Sequence, residues 1–141
     1  MANISVEPYL FFKGNAKEAM EFYKSVFGGE LTMSTLGESP KETLEQMKVD
    51  KSRYGEIMHA SLKGPVSLMG SDSQAASDHS AKVELSLGGT DEAQMKQIFD
   101  KLAEGGTVRT PLAKQFWGDT FGMLTDKYGV DWMMNIGDSM G

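Results

Sequence analysis

The stretch Asn15-Ala16-Lys17-Glu18-Ala19-Met20-Glu21-Phe22-Tyr23-Lys24-Ser25-Val26-Phe27-Gly28-Gly29 decides the fold. Ala16, Ala19, Met20, Tyr23, Val26 and Phe27 recur at helical spacing while Lys17, Glu18, Glu21 and Lys24 take the outer face, the pattern of an amphipathic helix. Asn15 with Glu18 three residues on reads as a capping box, and Gly28-Gly29 supplies the stop. A second stripe, Met95, Ile98, Phe99, Leu102 and Ala103, has Thr90 or Asp91 as its cap and Gly105-Gly106 as its end. Superposing the glycine doublets aligns the helices at an offset of about 76 to 77 residues, close to half of the 141-residue chain, as a duplicated module would give.

Each helix has matching neighbours. Val6 to Phe12 is a short aromatic and apolar run before the first, and Ala81 to Leu87 alternates Val83, Leu85 and Leu87 with Lys82, Glu84 and Ser86 before the second. After the first helix, strands are expected near Leu31 to Leu36, Glu56 to Lys63 and Val66 to Ser71, the last two joined at Gly64-Pro65. After the second they are expected at Thr107 to Thr110, Thr120 to Thr125 and Val130 to Ile136, the last two joined by Asp126-Lys127-Tyr128-Gly129. The pattern is βαβββ, twice. Gly37 to Tyr54 and Ser71 to Ser80 read as loops, with a short helix open at Lys41 to Lys48. The expected architecture is α+β. Paired βαβββ modules, about 1–72 and 81–137 of a single domain 1–141, form a curved mixed sheet around a cleft, with the helices on the outer face.

Composition bounds the function. Lys plus Arg at 14 against Asp plus Glu at 20 gives a formal charge of −6, and a chain without a basic run has no surface on which to collect phosphates. Neither nucleic acid nor an anionic membrane is expected as a partner. Zero cysteines remove disulfides, zinc fingers, iron–sulfur ligation and a cysteine nucleophile. No apolar run approaches the roughly 20 residues of a membrane span, and Met1 to Glu7 lacks the regions of a signal peptide, so a cytoplasmic location is expected. There is no Gly-x-Ser-x-Gly elbow and no phosphate loop, and the doublets Gly28-Gly29, Gly88-Gly89 and Gly105-Gly106 read as caps or turns.

Pro8-Tyr9-Leu10-Phe11-Phe12, then Gly14 to Ala19 and Phe22 to Gly29, resemble the opening of the PhnB-like branch of the vicinal oxygen chelate superfamily, which also holds glyoxalases, bleomycin-resistance proteins and extradiol dioxygenases. Phe116-Trp117-Gly118-Asp119 through Phe121-Gly122-Met123, then Thr125 to Val130, Trp132-Met133 and Asn135, resemble its closing signature. Ile57 to Leu62 resembles its middle strand. The resemblance spans nearly the whole chain and implies paired βαβββ modules, commonly assembled as a homodimer. Metal enzymes of the superfamily hold a divalent ion with four side chains, and the resemblance places those positions at or next to Pro8, Met69, Lys82 and Met133. None is a usable ligand, and a one-residue slip offers only Glu7, Trp132 or Met134, so neither a metal nor another cofactor is expected. Members of this branch often carry a ubiquinone-precursor methyltransferase label, yet no strand here leads into a glycine-rich turn able to hold a nucleoside-bearing methyl donor.

Two histidines are available. His59 sits mid-strand with Ile57 and Ser61 on its own face and Met58, Ala60 and Leu62 on the other, so it is expected in the cleft as a hydrogen-bonding or proton-transfer group, the alternative being a partly buried imidazole satisfied by a neighbour. His79 reads as an ordinary exposed side chain. Glu84 and Asn135 are expected on the same side, Glu84 as a second acid–base candidate or, alternatively, paired with Lys82 or a solvated neighbour. Trp132 shares parity with Val130, Met134 and Ile136 and is expected beneath a helix. Trp117 is expected to cap the cleft or enter a dimer contact, and Met69 and Met133 to form an adaptable apolar floor. The first expectation for function is a metal-free protein binding a small apolar or aromatic ligand in a cleft lined by Leu10, His59, Met69, Glu84, Trp117, Met133 and Asn135. The alternative is a metal-dependent or acid–base lyase, isomerase or dioxygenase using His59 or Glu84.

Overall fold

A computed structural model describes residues 7–73 and 83–137. The chain divides into two compact units, 1–78 and 79–141. In the first, the elements are β1 (Tyr9–Phe12), α1 (Ala16–Phe27), β2 (Glu30–Thr35), α2 (Lys41–Met47), β3 (Ile57–Lys63) and β4 (Leu68–Asp72), with single 3-10 turns at Leu36–Glu38 and Lys51–Arg53. In the second they are β5 (Leu85–Gly89), α3 (Glu92–Ala103), β6 (Thr107–Lys114), β7 (Thr120–Thr125) and β8 (Asp131–Ile136). Each unit has its own four-stranded mixed sheet, β1-β4-β3-β2 in one and β5-β8-β7-β6 in the other. In both sheets the strand before the helix lies parallel to the last strand of the unit, and the remaining pairs are antiparallel. The two units thus repeat one strand order around a helix. Among the described residues no helix is long and apolar enough to cross a membrane.

The helices form where the periodicity places them. α1 buries Ala16, Ala19, Met20, Tyr23, Val26 and Phe27, the six residues of its stripe. α3 buries Met95, Phe99 and Leu102, with Ile98 and Ala103 half-buried. Under them lie Ala60, Leu62 and Leu68 in the first unit and Leu124, Trp132 and Met134 in the second, all within 2% of complete burial. Full burial of each large apolar side chain contributes about 1.5–3 kcal/mol.

The start of α1 departs from expectation. Asn15 occupies the cap position without a side-chain hydrogen bond, so the capping box with Glu18 does not form. Asp72, at the end of β4, takes its place: Oδ1 accepts the Gly14 and Ala16 N–H groups, each at 2.9 Å, and Oδ2 accepts the Ile57 N–H at 2.9 Å. A carboxylate there satisfies orphan donors and complements the helix dipole. In α3 the cap is local, Asp91 Oδ1 accepting the Gln94 N–H at 3.1 Å.

Other differences concern edges. The structured part of the strand opening the second unit begins at Leu85, so Val83 is 80% exposed and not packed under a helix, while Ala81 and Lys82 lie outside the described residues, as does His79. Gly88-Gly89 is the end of β5 and not a cap. β6 runs past Thr110 to Lys114, through Pro111, because an edge strand with register shifts tolerates a missing N–H. The turn Asp126 to Gly129 forms as expected. Asp126 Oδ1 accepts the Tyr128 and Val130 N–H groups, and Oδ2 the Trp132 Nε1–H at 2.9 Å, which satisfies the buried indole.

Candidate functional site

The face of the first sheet opposite α1 is set by the alternation in β3. Ala60 and Leu62 are buried on the helix side, so His59, Ser61 and Lys63 line the open side. Their partners in β2 are Ser34, Thr32 and Glu30, and Ser61 pairs with Met69 of β4. Glu7, Glu30, Thr32, His59, Ser61, Lys63 and Met69 together line a pocket of about 510 Å³. A β-bulge at Thr35 breaks the alternation at the start of β3: Ile57 is buried at 3% exposure while Met58 is exposed, so Ile57 does not share the open face with His59 as regular alternation would require.

Tyr9 and Phe11 of β1 stand on the same open side, because Phe12 and Leu10 point toward the helix. Leu10 is in register with Gly70, whose Cβ direction meets Met20 of α1 and Phe12. Leu10 therefore leaves the site, a correction to its expected place. Tyr9 replaces it. Its hydroxyl lies 3.1 Å from His59 Nδ1, and its ring contacts both Phe11 and His59, with centroids 5.1 Å and 5.7 Å away. β4 separates β1 from β3, so the tyrosine ring crosses it, which accounts for Ser71 being 7% exposed on an otherwise open face.

In the second unit Leu85 and Leu87 pair with the buried Trp132 and Met134, which puts Glu84, Ser86, Met133 and Asn135 on the opposite face. Glu84 is engaged. Arg109 donates to its Oε1 at 2.6 Å and to the Leu124 and Trp132 carbonyls at 3.2 and 3.5 Å, with Asp131 Oδ1 at 4.0 Å. Asn135 is buried, its Nδ2 donating to Asp119 Oδ2 at 2.8 Å while its Oδ1 finds no partner among the described residues. Met133 is half-buried between Ser86 and Met123. Trp117, 36% exposed, sits at the tip of the β6–β7 hairpin with edge contacts to Phe116 and Phe121. Glu84, Met133 and Asn135 thus share one sheet face, and His59 and Met69 share one pocket. Tyr9 and Arg109 are additions. Each acts across strands far apart in sequence, and the only prior signal was an aromatic and a cation next to expected strand ends.

The positions that the resemblance assigns to metal ligands do not fit a divalent ion. Pro8 offers only its carbonyl, which already accepts the Met69 N–H at 3.0 Å. Met69 and Met133 offer thioethers, poor partners for a hard cation, and Lys82 lies outside the described residues. Among the described residues no group of three or more His, Asp and Glu side chains is placed to hold an ion.

Two βαβββ units with this strand order define a glyoxalase-fold protein of the vicinal oxygen chelate superfamily, of PhnB-like type. The chain belongs to the family described as 3-demethylubiquinone-9 3-methyltransferase, whose profile matches residues 4–135. Protein YjdN of Escherichia coli K12 is 32% identical over 138 residues, covering 93% of this chain and 94% of its own. Protein PA1353 of Pseudomonas aeruginosa superposes with a TM-score of 0.80 at 37% identity, over 95% of this chain and 98% of its own. The PhnB protein of Bacillus cereus gives 0.73 at 26%, over 95% and 100%. A glyoxalase/bleomycin resistance protein/dioxygenase family enzyme of Burkholderia phytofirmans, at 12% identity, TM-score 0.60 and coverage of 91% and 94%, shares the fold alone.

Proposed function

We propose that the protein is a metal-free, PhnB-like small-molecule binding protein, and that its ligand has an aromatic or apolar body seated on the open face of the first sheet. One observation carries this reading: Met69 lines the pocket where the resemblance puts a metal donor, in register with Tyr9, whose ring meets those of Phe11 and His59 on the same face. A thioether and neighbouring rings favour an apolar partner, and Thr32, Ser61 and Lys63 in the same pocket add polar handles. The reading extends to a homodimer in the cytoplasm with no nucleic-acid or membrane partner. Methyl transfer gains no support from β5, which ends in Gly88-Gly89: Thr90 and the capping Asp91 follow at once, leaving no glycine-rich turn for a nucleoside-bearing donor. Glu84 is read as structural because of its bond to Arg109.

The test is a thermal-shift panel of aromatic compounds combined with elemental analysis of the purified protein. Stabilisation by aromatic compounds, lost on Ser61→Trp, and no stoichiometric metal are the expected results. Robust turnover of methylglyoxal with glutathione on addition of Ni²⁺ or Zn²⁺ would overturn the reading in favour of a glyoxalase-type enzyme.

A further inference from the structure

We infer that Tyr9 is a positioning residue that fixes the tautomer of His59, and that the pocket thereby selects ligands carrying a single hydrogen-bond-accepting acid group. The inference rests on the pocket proposed above and names its ligand class. A phenol is a better donor than acceptor, and a neutral imidazole nitrogen is a good acceptor, so the 3.1 Å contact is O–H···Nδ1. The ring proton then resides on Nε2, which has no partner among the described residues.

His59, Ser61 and Lys63 are alternate residues of β3 on one face, so their side chains stand in a row about 6.6 Å apart along the pocket. With Nε2 protonated, all three present donors: an imidazole N–H, a hydroxyl and an ammonium. With the other tautomer, the row would open on an acceptor. Glu7 and Glu30 line the same pocket, Glu30 in register with Lys63, and they repel a second negative charge. The chemistry complementary to this arrangement is a monoanion, such as a carboxylate, on an aromatic or apolar body. The body lies along Phe11, Tyr9 and Met69. A primary amine cannot accept from the His59 N–H or the Lys63 ammonium and would turn to Glu7 and Glu30 instead.

Nitrogen-15 NMR of the His59 ring at alkaline pH reads the tautomer directly, and amide shifts on titration with benzoate, phthalate, benzylamine and toluene read the ligand class. The wild-type ring is expected as the Nε2–H form, and Tyr9→Phe is expected to lose that bias while retaining the dispersed spectrum of the fold. Benzoate is expected to shift His59, Ser61 and Lys63, more weakly in Tyr9→Phe by about three- to tenfold, the worth of one hydrogen bond. An Nδ1–H ring in the wild type, or a bias unchanged in Tyr9→Phe, overturns the positioning role, and the wild-type spectrum decides even if the variant does not fold. Benzylamine or phthalate outcompeting benzoate overturns the ligand class. Toluene alone shifting this face overturns the ligand class and leaves the binding reading standing, whereas silence from all four probes sinks both.

Discussion

Replacing Asp72 by alanine removes a carboxylate that holds three backbone N–H groups from two distant parts of the first unit. Gly14 is exposed and regains water, whereas Ala16 and Ile57 are at 0% and 3% exposure and their N–H groups are left without a partner. Each orphaned buried donor costs about 1–3 kcal/mol, so the substitution is expected to cost about 2–6 kcal/mol, centred on about 4. With a urea m-value of about 2 kcal/mol/M, the unfolding midpoint falls by about 2 M. Asp72→Asn retains one acceptor oxygen for the helix but turns an amide N–H toward one of the three donors, and an intermediate loss of about 1–2 kcal/mol follows. Asn15→Ala, which deletes the residue at the formal cap position, is expected to cost under about 0.5 kcal/mol because its side chain makes no capping bond. Urea titration followed by circular dichroism measures all three, and hydrogen exchange locates the effect at the Ala16 and Ile57 amides. An Asn15→Ala loss equal to or above that of Asp72→Ala would refute the reasoning.

Further outcomes follow from the same structure. The pair Glu84–Arg109, with side chains 23% and 32% exposed, is expected to show a coupling of about 1 kcal/mol in a Glu84→Gln/Arg109→Gln double-mutant cycle. Gly29→Ala and Gly106→Ala each force a Cβ onto a backbone carbonyl, of Lys63 and Thr125 respectively, and are expected to lower the melting temperature more than Gly28→Ala, whose Cβ meets open space and suffers only its backbone conformation, a cost of about 1–3 kcal/mol. The Lys96 ammonium hydrogen-bonds to the Glu92 carboxyl on α3 and holds it below its ordinary range. A carboxyl depressed in the folded state stabilises above its unfolded value, and that contribution fades as pH falls through the folded one. Carbon-13 NMR titration of Glu92 is expected to show the depression, and Lys96→Met to remove most of it, Lys114 supplying a smaller remainder.

What could be read in advance was local. The α1 stripe is a matter of spacing within one segment, and all six residues are buried as the period requires. The run Tyr9-Leu10-Phe11-Phe12 is apolar throughout and carries no alternation, so nothing in it says which side faces the helix, and Leu10 goes to the covered side while Tyr9 goes to the open one. Pro111 reads as a strand breaker until β6 is known to be an edge. The contacts that define the site and its supports join residues 50 apart for Tyr9 and His59, 25 apart for Arg109 and Glu84, and 56 apart for Asp72 and Ala16. Such pairings depend on strand order, which periodicity within a segment does not encode. Both acid–base candidates therefore have partners that no motif announces.

Gly29 and Gly106 close their helices against the end of β3 and of β7, the corresponding strands of the two units, and neither leaves room for one more carbon. Helix capping, by contrast, is achieved by a remote aspartate in one half and a neighbouring one in the other. An electrostatic need can be met from any direction, so the two copies have been free to answer it differently. A steric one has a single solution, and glycine supplies it in both units.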